Sequence, residues 1–381
     1  MAEPLKAIYN EDFLQQFSEK VHAVYKAFDR SGFIGTVMDS TWDELALKAR
    51  MHRIAESLGN YIPARYEDAL AILFAIDEDC FGFPYLFFPE FVAVYGQAEE
   101  HWALSMNALE RFTMKSSAEF AIRVFLLRDP ERVMDQMEVW AQHPNEHVRR
   151  LVSEGCRPRL PWGQGLPMFK RDPAPVLRVL ELLKADPSLY VRKSVANNLN
   201  DIAKDHPAAV IATVRRWQGV ALSTDWILRH GCRTLIRKAH PEVMALFGYA
   251  ETIGAVPLTT YASLSVEPSV LSIGGSCELT YELCIQDGEP LHLRIEYGID
   301  FVKSKGHTTR KIFLLSDKIV PGGAHLAAIR IHRWLNLTTR RHYPGEHGIF
   351  LLVNGREVAK TVLKLEADSK EICNANRVKL Q

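Results

Sequence analysis

The sequence predicts a mainly α chain, a superhelix of two-helix repeats, followed by a C-terminal all-β sandwich. Three observations carry that expectation. Apolar residues recur at three and four as far as about residue 250, which is the helical period. A helix–turn–helix unit returns at intervals of 43 and 36 residues in the middle of the chain. From about residue 257 the period switches to two, with Gly, Pro and Asp turns between short runs. Composition agrees: 47% hydrophobic and 24% charged residues suit a soluble fold that buries a sizeable core. A length of 381 residues corresponds to two or three domains.

The first helices carry Leu14, Phe17, Val21 and Val24–Tyr25 on one face, then the TWDELALKARMHRIAESL stretch opening at Thr41. Proline punctuates the helices beyond that stretch, in IP at 62–63, FGFP at 81–84, RDP at 128–130, QHPN at 142–145, KADPS at 184–188 and KDHP at 204–207. Proline lacks the N–H that a helix interior requires and suits a first turn, so these sites end one helix or open the next. The texture changes at GYAETIGAVPL, residues 248–258. Beyond it, SLSVEPSVLSIGGSCELTYELCI and HLRIEYGIDFV alternate as antiparallel strands do. The expected domains are therefore 1–256 (helical repeats), 257–367 (β-sandwich) and a flexible tail over 368–381.

The repeat is read from three segments: EHVRRLVSEGCR from 146, LYVRKSVANNLN from 189 and DWILRHGCRTLI from 225. Val148, Val191 and Ile227 correspond. Two-helix units of roughly 40–47 residues are the signature of HEAT-type solenoids, whose stacked units share one core. In the middle unit Val191, Val195, Leu199 and Ile202 form the apolar stripe, with Lys193, Asn197 and Asp201 opposite. Arg229, Arg233 and Arg237 repeat that spacing in the next unit, and Arg150 and Glu154 in the preceding one. Steps of four span only about 80° of a helix surface over three residues. One face thus gathers five basic residues, one amide and two carboxylates. A phosphate surface would favour the cations and repel Glu154 and Asp201. The competing account is an ordinary solvated face, with both carboxylates paired to Arg150, Arg157 and Lys193.

The whole chain carries no formal net charge, but the charge is uneven. Residues 1–142 hold 13 Lys/Arg against 23 Asp/Glu, a net of −10. Residues 143–257 stand at +7 and residues 258–381 at +3, so a polyanion partner would meet the middle and the end. No apolar run reaches the roughly 18–20 residues of a membrane-spanning helix. The opening MAEPLKAIYNEDF lacks a basic and an apolar region, so no secretory signal is expected. Six cysteines lie scattered without CxxC spacing, as reduced thiols of a cytosolic protein do, and argue against structural zinc.

The WGQGLP segment at 162–167 adjoins the basic face, and its glycines permit an unusual loop there. Trp162 either packs under that loop or meets a sugar or base. Phosphate-loop, HExxH, GxSxG and dinucleotide motifs are lacking. His325, His332, His342 and His347 show no ligand-like convergence, so no metal and no cofactor are expected.

Three segments carry a resemblance: LKAIYNEDFLQQFSEKVHAVYKAFD, HPNEHVRRLVSEGCRPRLPWG and DPSLYVRKSVANNLNDIAKDHP. Over residues 4–250 they closely resemble the AlkC family of HEAT-repeat DNA alkylation-repair glycosylases. The β region is similar to the immunoglobulin-like domain that some members carry. The resemblance implies a monofunctional DNA glycosylase that removes cationic N3-alkylated bases, 3-methyladenine foremost and 3-methylcytosine with it, from double-stranded DNA without base flipping. It implies that Glu154 and Asp201 are catalytic and that Trp162 approaches the lesion. The expected DNA-facing residues are Trp162, Arg150, Arg157, Arg159, Lys193, Asn197, Arg229, Arg233 and Arg237. Lys303 and Lys305, in the FVKSKGH turn of the β region, join them as part of a clamp. A monomeric, cytoplasmic, nucleoid-associated enzyme would follow. The alternative is a non-catalytic scaffold whose solenoid binds DNA backbone or a protein partner.

Overall fold

The computed structural model describes residues 5–250, 257–337 and 340–367. The expected tail at 368–381 lies outside them. The chain divides into two compact units between Cys232 and Arg233. The first is entirely helical among its described residues. The second opens with the short helices Arg233–Arg237 and Pro241–Leu246, then continues as strands.

Local chemistry sets the repeat helices. Asn145 caps Glu146–Gly155 by accepting from the His147 amide at 2.8 Å. Ser188 caps Leu189–Ile202 by accepting from the Tyr190 amide at 3.2 Å. Each cap satisfies an amide that the helix cannot. Pro130, Pro167, Pro207 and Pro241 each occupy a first helical position. The inward stripe Val148, Leu151 and Val152 packs with Val191, Val195, Leu199 and Ile202, all fully or almost fully buried. Glycine is required at Gly155, where a β-carbon would stand 2.7 Å from Ile122 Cγ2.

One element differs from expectation. The segment from Asp225 onward is not one helix: Leu222–Gly231 ends, and Arg233–Arg237 begins separately. Gly231 lies so close to Leu199 that a β-carbon would come within 2.9 Å of Leu199 Cβ. Cys232 then leaves helical geometry at φ −87°, ψ 3°. Arg229 therefore stands in the first unit, and Arg233 and Arg237 in the second. The three arginines therefore do not share one helix.

The second unit is an immunoglobulin-like sandwich. Its described strands are β1 (Thr259–Glu267), β2 (Val270–Ser272), β3 (Ser276–Ile285), β4 (Leu291–Val302), β5 (Thr308–Val320), β6 (His325–Arg333), β7 (Gly345–Val353) and β8 (Arg356–Glu366). One sheet runs β1-β3-β6 and the other β2-β8-β7-β4-β5. All pairings are antiparallel except β2 with β8. Tyr297, Ile299 and Phe301 alternate inward on β4 and meet Trp334, Ile349 and Leu363 in the core.

Candidate active site

The two carboxylates named from the sequence end up in one network. Glu154 sits on the last turn of Glu146–Gly155, and Asp201 near the end of Leu189–Ile202. Arg157 follows the first helix directly and reaches both. Its Nη1 donates to Glu154 Oε1 at 2.6 Å and its Nε to Asp201 Oδ2 at 2.9 Å. Ser194 donates to Glu154 Oε2 at 2.6 Å, and Lys204 Nζ to Asp201 Oδ1 at 2.9 Å. Each of the four carboxylate oxygens thus has one donor.

These groups are buried. Glu154, Asp201 and Arg157 are 5%, 2% and 7% exposed. Burial disfavours the Arg157 charge, but Glu154 and Asp201 outweigh it and hold the guanidinium above its ordinary value. Arg123 lies almost wholly buried nearby and donates to Gly155 O at 2.8 Å and Arg157 O at 2.9 Å. Burial with no carboxylate in hydrogen-bond contact pulls Arg123 down to about 10. Cys156 is an inert neighbour, its thiol pushed up to about 12 by burial.

The remaining sequence-derived residues divide. Arg150 pairs with Glu119 at 2.8 Å, stacks 4.6 Å from the Tyr190 ring centre, and stands 3.9 Å from Glu154. Arg159 makes a two-pronged pair with Asp205, at 3.1 and 2.6 Å. Lys193 is exposed and Asn197 half-buried. The expected partnership of Lys193 with the carboxylates gives way to Lys204, three residues after Asp201. Exposure falls along the Lys193–Asn197–Asp201 line because its far end packs against Arg157. Arg229 is half-buried.

Trp162 is 62% exposed, so it is not a packing residue. The loop's unusual backbone falls on Trp162 itself, at φ 62°, and on neither of its glycines. In the second unit Arg233 is half-buried and Arg237 exposed. Lys303 closes the β4–β5 turn, its amide donating to His307 O at 2.9 Å, and Lys305 is exposed. Among the described residues no cluster of three or more His, Cys, Asp or Glu could hold a metal ion. No helix among them is long and apolar enough to cross a membrane.

Sequence reasoning missed Ser194, Lys204, Arg123 and Glu119. Lys204 had a local signal, an i,i+3 spacing to Asp201. Arg123, on the helix Ile122–Arg128, and Glu119, in the turn before it, had none, because both lie far upstream in sequence.

The helical unit thus buries two carboxylates bridged by one arginine, and a β-sandwich follows it in the chain. Residues 100–235 match the family described as DNA alkylation repair enzyme. Residues 260–367 match the C-terminal Ig-like domain of uncharacterised protein YhaZ. The YhaZ protein of Bacillus subtilis (strain 168) is 43% identical over 351 residues, covering 92% of this chain and 96% of that one. The solved structure of Pseudomonas fluorescens alkylpurine DNA glycosylase AlkC, bound to DNA containing an abasic site analog, is similar at a TM-score of 0.90. It is 40% identical and covers 96% of this chain and 100% of that one. The chain belongs to the AlkC family of DNA alkylation repair enzymes.

Proposed function

We propose that this protein is a monofunctional DNA glycosylase that excises cationic N3-alkylated bases, 3-methyladenine and 3-methylcytosine, from double-stranded DNA. An N3-alkylated base carries a positive charge and leaves with the glycosidic electron pair as a neutral molecule. It needs no protonation. The demanding part is the oxocarbenium character at C1′ and the water that captures it. A fixed anion beside the sugar stabilises that charge, and a carboxylate oxygen orients the water and takes its proton.

The observation that carries this reading is the buried Glu154–Arg157–Asp201 bridge. Phosphate contact alone gives no use for buried carboxylates. A carboxylate oxygen accepts two hydrogen bonds, so each of these, with one protein donor, keeps a lone pair that can accept from a water. Arg150, Arg157, Arg159, Lys193, Asn197, Arg229, Arg233 and Arg237 contribute backbone contacts or support them, and Trp162 meets the lesion. Lys303 and Lys305 give the sandwich its own grip on the duplex. The base stays in the helix.

The test is the formation of abasic sites in methylated duplex DNA. The enzyme produces them with release of free 3-methyladenine. A scaffold that only binds DNA backbone or a protein partner produces none.

A further inference from the structure

Trp162 holds a left-handed backbone at φ 62°, a region where a β-carbon crowds the following carbonyl. Its indole is mostly exposed, so side-chain packing does not impose that conformation. The constraint comes from the loop's carbonyls. Lys48, on the helix Leu47–Gly59, reaches across 114 residues of sequence to donate from Nζ to Trp162 O at 3.0 Å. The same ammonium lies 4.9 Å from the centre of the Phe120 ring, a cation–π contact that restrains its position. Two residues on, Gln164 O accepts from Arg123 Nε at 2.6 Å. Cations from outside the loop thus hold the carbonyls on both sides of Gly163. Within the loop, the Gly163 amide donates to Leu160 O at 3.1 Å, and the Leu166 amide to Pro158 O at 3.3 Å.

We propose that Lys48 is a positioning residue for Trp162: its bond to the Trp162 carbonyl maintains the left-handed backbone that aims the indole at the lesion. The catalytic half of this inference rests on the reading of Trp162 as the lesion contact. Lys48 takes no part in the carboxylate network, so its effect passes through the loop. Without the bond the Trp162 peptide turns toward an ordinary φ, and the indole leaves its direction. Losing such preorganisation slows a reaction while leaving most of the DNA contacts in place.

The test uses full-length protein labelled with 5-fluorotryptophan. The Trp162 resonance, one of seven, is identified by its loss in Trp162→Phe. Lys48→Met is expected to shift or broaden that resonance and leave the others unchanged. It should slow single-turnover excision on the order of tenfold with DNA affinity little altered. Lys48→Arg, which retains a cationic donor, should restore both. In a Trp162→Ala background, Lys48→Met should have no further effect on excision. An unchanged Trp162 resonance in Lys48→Met, or a full loss of rate in the Trp162→Ala background, overturns the inference. Wild-type excision by Trp162→Ala alone contradicts the lesion-contact reading, and the resonance still decides whether Lys48 holds the loop.

Discussion

Arg157 and Asp201, 44 residues apart in sequence, meet through a buried Nε–Oδ2 hydrogen bond of 2.9 Å. The same guanidinium closes on Glu154, so one cation joins the ends of two successive repeat helices. Continuum reasoning warns that a buried ion pair need not add net stability. Breaking one is different, because a buried charge is left without its partner.

Arg157→Met should therefore destabilise the helical unit by roughly 3–5 kcal/mol, since both Glu154 and Asp201 lose a donor. Arg157→Lys should recover little of this, because a point-like ammonium cannot span two carboxylates as a planar fork does. Chemical denaturation midpoints of the two variants check both statements.

Salt dependence should separate exposed cations from buried ones. DNA affinity should fall steeply with salt, and Lys193→Ala or Arg237→Ala should each reduce the slope by about one. Lys303→Ala and Lys305→Ala should act likewise if the sandwich grips the duplex. A change at Arg157 should leave the slope unaltered, because that residue neutralises carboxylates. Binding isotherms at several salt concentrations distinguish these cases.

Acid should weaken the sandwich. Burial, with Arg340 beside them, pulls His332 and His342 from 6.5 down to about 4. His342, Arg330 and Lys311 also face His332, and its Nδ1 meets the Tyr297 hydroxyl at 3.0 Å. His347 and Lys303 also face His342. Both imidazoles stay neutral when folded, while the unfolded chain takes up protons below about 6.5. Stability is then lost as pH falls from about 6.5 to about 4, and the loss levels off below that. Thermal unfolding of the β unit across this range should show the decline, and His332→Gln should reduce it.

How far the sequence spoke depends on how local each signal was. The solenoid was legible because Val148, Val191 and Ile227 recur at repeat spacing, and the sandwich because its strands alternate. Glu154 and Asp201 were legible as carboxylates out of place on a basic face. Their pairing with Arg157 was legible as the competing account, but that one guanidinium spans both was not, because its aim depends on how two helices pack. The break at Cys232 was hidden because the Arg229–Arg233–Arg237 spacing continues through it, while the close approach of Gly231 to Leu199 is tertiary. The strained backbone was expected of the loop's glycines and sits on Trp162, held by a lysine that no local pattern could connect to it.

Substrate charge gives an independent check. Excision should be confined to bases that are already cationic. Uracil, hypoxanthine and neutral oxidised bases should remain in place, since a neutral base ordinarily needs specific contacts in a flipped-out pocket. Incubation with duplexes carrying each base, followed by chromatography of released material, reads this directly.

Action of Glu154 and Asp201 on the sugar and its water is open to one decisive measurement. Single-turnover release of 3-methyladenine from duplex DNA is followed in Glu154→Gln and Asp201→Asn, with DNA affinity and folding measured in parallel. Each change keeps the shape of the side chain and removes its charge. Excision should fall on the order of 10²–10³-fold in folded protein, as for other preorganised charges. DNA affinity should hold or rise, because a repulsion from phosphate has been removed. Wild-type excision rates in both variants would contradict a catalytic role for either carboxylate.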